Sequence, residues 1–159
     1  SDKESEINPL TKYAKAKNSL RQAIVPFVKK HNCQLIWGRI FYVFGENQQP
    51  PTLYGQFLNA VKSNSKYFEI QNPMCSRDYI SIDELVFYIL KLLQINQKII
   101  LVNLCSGRPT KIIDLVNTWI KEKKVQLIIR SPENVEIKRH ELDSFWGNNS
   151  YLKSLIKKA

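Results

Sequence analysis

The chain has 159 residues, of which 43% are hydrophobic and 24% charged, with a formal net charge of +10. That is enough chain for one buried core in a single domain, while no apolar run approaches the ~20 residues of a membrane span and the polar start at residues 1–6 does not resemble a secretory signal, so the sequence reads as a cytoplasmic globular piece. The charge raises a non-catalytic basic module for nucleic acid or protein as an alternative, but the lysines fall in small groups (Lys15 and Lys17, Lys29 and Lys30, Lys121 with Lys123 and Lys124, Lys157 and Lys158) that suit solvated helix surfaces and helix ends better than a polyanion groove.

Asn8 as N-cap and Pro9 at the first helical position open a helix that runs toward His31. It carries Tyr13-Ala14-Lys15-Ala16-Lys17, in which Tyr13 and Lys17 project from one face. Pro26 removes a backbone hydrogen bond and is expected to kink or end the helix. Residues 35–44 form a continuous apolar run between polar Asn32 and Glu46-Asn47, read as one strand buried on both faces of a parallel sheet. Residues 48–52, with Pro50-Pro51, are loop, and 53–62 are a helix with Phe57, Leu58 and Val61 on one side.

Residues 67–70 read as a short strand, 72–76 as a loop and 82–94 as a strongly apolar helix. Asp83 and Glu84 in its first turn suit the helix dipole better than a catalytic role. Residues 99–103 are a second buried strand, ended by the Ser106-Gly107 turn. A helix from Thr110 to about Lys123 turns Ile113, Val116 and Ile120 inward, and a strand at 125–129 and a terminal helix at 150–157 follow. Strands and helices alternate, as in an α/β fold. Cys33, Cys75 and Cys105 are odd in number with no C-x-x-C pair, so they read as free thiols, buried where they adjoin strand-like segments. His31 and His140 are far apart in sequence, and no metal site is expected.

A free phenol titrates near ~10, and a neighbouring ammonium makes such a group a usable proton donor or acceptor. A Tyr and a Lys at this spacing also arise by chance, so the pair needs company. Three segments supply it in order: Arg39-Ile40-Phe41-Tyr42-Val43-Phe44-Gly45, then Arg77-Asp78-Tyr79-Ile80-Ser81-Ile82-Asp83-Glu84-Leu85, then Asn103-Leu104-Cys105-Ser106-Gly107. With residues 9–17 they resemble the extended short-chain dehydrogenase/reductase family of nucleotide-sugar epimerases, dehydratases and ketoreductases. That family's pattern runs P-x-x-x-Y-x-x-x-K, R-x-F-N-x-x-G, R-D-Y-[IV]-x-[IV]-x-D-[LV] and N-[IL]-x-[ST]-G.

The resemblance spans almost the whole chain but starts partway through the family's pattern. The G-x-x-G-x-x-G turn that holds the dinucleotide pyrophosphate has no match among Gly38, Gly45, Gly55, Gly107 and Gly147, and the Ser or Thr that the family places upstream of its Tyr is unmatched. The resemblance therefore implies the C-terminal half of an NAD(P)-dependent nucleotide-sugar epimerase, dehydratase or 4-ketoreductase, inactive by itself. Its fold would be α/β: a partial Rossmann-like parallel sheet with helices, plus the family's small C-terminal substrate-binding region. Residues 8–45 would hold the catalytic helix and the following core strand, and residues 46–159 mainly the substrate-binding region, with a core strand returning near 98–103.

The resemblance makes Tyr13 the general acid/base and Lys17 its electrostatic and ribose-binding partner. Both would meet the cofactor, NAD or NADP, with Val43 packing on its nicotinamide. Tyr42, Phe68 and Arg77 would meet a nucleotide-diphosphate sugar, Arg77 gripping the diphosphate with its planar fork. Phe68 lies on the strand offered to the nucleotide base, with a core role equally open. Tyr42 departs from the pattern, because many members carry Asn there. The implied assembly is a homodimer through the Tyr13 helix, with neither membrane nor nucleic acid as partner.

Overall fold

The computed structural model describes residues 11–132 and 144–157. Their elements are, in order, α1 (Lys12–Lys30), β1 (Leu35–Ile40), β2 (Tyr42–Phe44), α2 (Leu53–Lys62), β3 (Tyr67–Glu69), β4 (Ser76–Arg77), β5 (Tyr79–Ser81), α3 (Ile82–Leu93), β6 (Ile99–Leu104), β7 (Thr110–Lys111), α4 (Ile112–Lys123), β8 (Ile128–Arg130), β9 (Ser144–Phe145) and α5 (Ser150–Ile156). Asn8, Pro9 and His140 lie outside the described residues. Helix α1 is capped by Thr11, whose hydroxyl accepts the Ala14 N–H at 3.1 Å. Pro26 does not end it: one lost hydrogen bond is offset by the burial of Val28 in the last turn. The helix closes instead in a Schellman turn, with Asn32 in the left-handed region (φ 52°) and the N–H groups of Asn32 and Cys33 donating to the carbonyls of Lys29 and Val28.

Residues 35–44 form two strands rather than one. β1 pairs in parallel with β6 from Leu35↔Ile99 to Ile40↔Leu104, and the Phe41 N–H still reaches the Leu104 carbonyl at 3.1 Å. The chain then changes partner, and β2 pairs in parallel with β5, Tyr42 opposite Tyr79. β1 is half-buried rather than buried on both faces, since among the described residues its second edge has no partner strand. β3 pairs in parallel with β8, and β4 lies between antiparallel β7 and parallel β9.

Three further expectations shift. Thr110 opens no helix: it pairs with Arg77 as part of β7, and α4 starts at Ile112. Its inner stripe keeps Val116, buried, and Ile120, partly buried against the same cluster, but the buried places beside them go to Leu115 and Trp119 rather than Ile113. The strand expected from residue 125 begins at Ile128, since residues 124 and 125 close α4: Lys124 is left-handed and the Val125 N–H donates to Ile120.

Burial divides into two clusters where one was expected. The first joins Ile80, Leu85, Leu92, Ile100, Val102, Leu104 and Leu152, and the second Tyr54, Phe57, Phe68, Leu115, Val116 and Trp119. The β2–β5 pair is the partition between them. Strand side chains alternate in direction, so Val43 and Ile80 turn to the first cluster while Phe44 and Tyr79 turn to the second. Cys33, Cys75 and Cys105 form no disulfide. Cys105 is buried and Cys75 partly so, but Cys33 is exposed, because it falls in the turn that closes α1. Among the described residues no helix is long and apolar enough to cross a membrane.

Candidate active site

The partly buried positions of α1, Ala14, Asn18, Arg21, Ile24 and Val25, recur at helical spacing and end at buried Val28, marking the face turned to the sheet. Tyr13 and Lys17 stand at the margin of that face, one turn apart. With Ile36, Trp37, Gly38, Arg39 and Ile40 of β1 they line an open cleft of about 460 Å³. Lys17 Nζ lies 5.7 Å from the centroid of the Tyr13 ring, and Tyr13 is 73% exposed. The cleft thus offers one hydroxyl and one ammonium from the helix, against a wall that Ile36, Trp37 and Ile40 make largely apolar. A phenol and an amine so placed can exchange a proton with a bound hydroxyl or carbonyl and stabilise the charge that moves.

The other residues that the sequence singled out do not line this cleft. Tyr42 is half-exposed and stacks on Tyr79 at 5.2 Å, and Val43 is partly buried beside the first cluster. The Phe68 side chain is a core residue, 5% exposed and edge-on to Phe57, so a ligand contact at Phe68 is open only to the main chain of β3. Arg77 is 9% exposed on β4, its Nη1 donating to the Ser76 carbonyl at 3.0 Å, with Thr110 and Phe145 as its strand partners. The two groups of residues are nevertheless joined. Phe41, which follows β1 directly, stacks on Phe145 at 5.2 Å, and Phe145 is the residue paired with Arg77.

Asp78 was passed over in the sequence, yet it organises this region. Its carboxylate is fully buried and accepts four hydrogen bonds: at Oδ1 from the Ser106 N–H (2.8 Å) and hydroxyl (2.7 Å), at Oδ2 from the N–H groups of Gly107 (3.0 Å) and Gly147 (3.1 Å). Asn149 holds the other side of the turn, donating through Nδ2 to the carbonyls of Cys105 (3.1 Å) and Ser106 (2.8 Å). Gly107 is required there: its φ is 75°, and a Cβ would come within 2.7 Å of Asn149 Oδ1. The available signal was an acidic residue between strand-forming residues, with a Ser-Gly turn downstream to satisfy it.

Two phenols in this region resist ionisation. Burial pushes Tyr79 up to about 12; the neighbouring Tyr42 adds to the effect and Arg77 opposes it. Burial likewise raises Tyr88 to about 12, reinforced by the hydrogen bond it donates to Glu84 at 2.6 Å.

Residues 1–105 match the family model of the NAD dependent epimerase/dehydratase family, and the chain belongs to that family. Over 132 residues it is 28% identical to dTDP-6-deoxy-L-talose 4-dehydrogenase (NAD(+)) of Aggregatibacter actinomycetemcomitans, a match that covers 79% of this chain and 47% of that protein. The chain thus spans about half the length of this curated relative. Among solved structures, RMD from Pseudomonas aeruginosa complexed with NADPH superposes with a TM-score of 0.72 at 17% identity, over 98% of this chain and 55% of that one. UDP-N-acetylglucosamine 4-epimerase from Methanobrevibacter ruminantium, in complex with UDP-N-acetylmuramic acid, gives 0.70 at 17% identity, over 96% and 52%. These likenesses establish the Rossmann-like α/β fold, of which this chain holds a part.

Proposed function

We propose that this chain carries the proton-transfer residues of an NAD(P)-dependent epimerase, dehydratase or 4-ketoreductase acting on a nucleotide-activated sugar. The observation that carries the reading is the joint placement of Tyr13 and Lys17 at one open cleft against β1. The donor set fits a nicotinamide nucleotide: a hydroxyl and an ammonium suit ribose hydroxyls, and the apolar wall suits a planar ring. When bound, the cofactor supplies the hydride exchange that interconverts a sugar alcohol and its ketone. Tyr13 takes the proton from, or returns it to, the sugar oxygen. Lys17 holds the ribose and stabilises negative charge on the phenol oxygen as the proton leaves.

Val43 packs beside the first cluster rather than in this cleft, and we assign its remaining exposed surface to the nicotinamide. Arg77 grips the substrate diphosphate, a task suited to a planar fork of donors, and half-exposed Tyr42, stacked on Tyr79, offers its hydroxyl to the same substrate. The names of the relatives, a sugar 4-dehydrogenase and a UDP-sugar 4-epimerase, support this substrate class. Exposed Leu20 and Phe27 lie seven residues apart on α1 beyond the cleft, and we place the contact with a second copy on these two side chains. Three cysteines held as thiols rather than disulfides agree with a cytoplasmic enzyme.

The test is turnover of NAD(H) or NADP(H) by the protein at its natural full length, with nucleotide sugars offered singly. Cofactor oxidation or reduction, or interconversion of the sugar, that depends on one nucleotide sugar is the expected result. A folded protein that binds neither cofactor nor any nucleotide sugar overturns the reading.

A further inference from the structure

We infer that Asp78 is the positioning residue for Arg77, its buried carboxylate fixing the two strands that flank Arg77 and so setting the guanidinium where it meets a substrate diphosphate. The inference rests on the proposed role of Arg77 as the diphosphate grip.

The sheet that carries Arg77 is too small to hold itself. β4, β7 and β9 have two residues each, well short of the roughly 5–6 of an ordinary strand. A ladder of that length leaves the direction of its central side chain poorly fixed. What fixes it is the next residue. Arg77 pairs with Thr110 of β7 on one side and Phe145 of β9 on the other. Asp78 reaches both flanks with one carboxylate, taking the N–H groups of Ser106 and Gly107, in the turn that leads into β7, and that of Gly147, just after β9. Asn149 grips the carbonyls of the same turn from the opposite side. Two segments far apart in sequence are thereby tied to one group adjacent to Arg77.

The chemistry requires a carboxylate. All four partners are donors, and a carboxylate presents only acceptors. In Asp78→Asn an NH₂ faces one or two of those N–H groups, which then lie buried without a partner. Loss of the Ser106 hydroxyl is milder, since the main-chain N–H bonds to Asp78 remain.

The test is calorimetric titration of the full-length protein with UDP and with dTDP, for wild type, Arg77→Ala, Asp78→Asn, Ser106→Ala and the two doubles that combine Arg77→Ala with the latter changes. Folding is checked by near-UV circular dichroism. Arg77→Ala and Asp78→Asn are each expected to weaken nucleoside diphosphate binding about tenfold or more, and Ser106→Ala about fivefold. Both doubles are expected to bind no more weakly than Arg77→Ala alone, because Asp78 and Ser106 act through the guanidinium. Should Asp78→Asn fail to fold, Ser106→Ala and its double decide by the same comparison. Wild-type affinity in Asp78→Asn and Ser106→Ala, or losses that add to that of Arg77→Ala, overturns the inference and leaves the diphosphate reading standing. Wild-type affinity in Arg77→Ala, or no binding by the wild type, overturns that reading and the inference with it.

Discussion

Tyr42 and Tyr79 stack across the β2–β5 pair, 5.2 Å between centroids and 27° between planes. Tyr42 is half-exposed, whereas Tyr79 meets Trp119 edge-on at 6.2 Å on its inner side. This pair of rings connects the proposed substrate surface to the second cluster, and the packing that positions one phenol suppresses the ionisation of the other.

Stability should therefore fall at high pH. Tyr79 and Tyr88 are raised from 10.0 to about 12 in the folded protein. Below the unfolded value both states keep these protons and the full stabilisation is present. Between about 10 and 12 the unfolded chain releases them while the folded chain holds them, so stability drops as pH rises. Urea midpoints measured across that window should decline in the wild type and decline less in Tyr79→Phe. Equal slopes in the two proteins would show that Tyr79 is not raised.

Trp119 is the keystone of the second cluster, with ring centroids at 4.7 Å from Tyr54, 5.4 Å from Phe44 and 5.6 Å from Phe57. Trp119→Ala should cost about 3–5 kcal/mol by removing a large buried side chain. Trp119→Phe should cost less, since the buried indole N–H has no hydrogen-bond partner to lose. Denaturant unfolding checks both, and a loss below about 1 kcal/mol for the Ala variant would mean that the cluster repacks around the gap.

Long periodic elements were legible in the sequence, and helices α2, α3 and α5 lie within a residue of their expected bounds, although α3 buries only Leu85, Tyr88 and Leu92 and leaves Phe87, Leu90 and Leu93 exposed. Shorter features were not, because tertiary context decides them. The change of partner at Phe41 leaves no mark in an unbroken apolar run; it follows from where β5 and β6 lie. Thr110 reads as a helix start but is drawn into extended pairing by Arg77. At the candidate site, Tyr13 and Lys17 could be placed on one face by periodicity alone. Asp78 could not be recognised as a hub, since its four donors come from residues 28 or more positions away in sequence.

The exposed stripe of α1 makes a specific statement about assembly. Leu20 is 47% exposed and Phe27 59%. If a second copy covers this face, Leu20→Glu with Phe27→Glu should convert a dimer to a monomer in sedimentation at unchanged helix content. A monomeric wild type, or a double variant that still dimerises, would remove α1 from the interface.

The net charge of +10 allows a direct contest between nucleotide sugar and nucleic acid. One diphosphate grip at Arg77 should give a shallow salt dependence. A groove neutralising six to ten phosphates would lose about 10³–10⁵ in affinity between 50 and 200 mM salt. Titrations with UDP-sugars and with duplex DNA at both salt concentrations distinguish them, and steep DNA binding that survives Arg77→Ala would favour the basic module.

The most direct test of the central claim, that Tyr13 moves the substrate proton with Lys17 beside it, is kcat of Tyr13→Phe in the full-length protein with a nucleotide sugar that the wild type turns over. The expected result is a fall in kcat of about 10²–10⁴ with substrate affinity little changed, as for a lost general acid/base. A folded Tyr13→Phe protein with kcat near that of the wild type would contradict it.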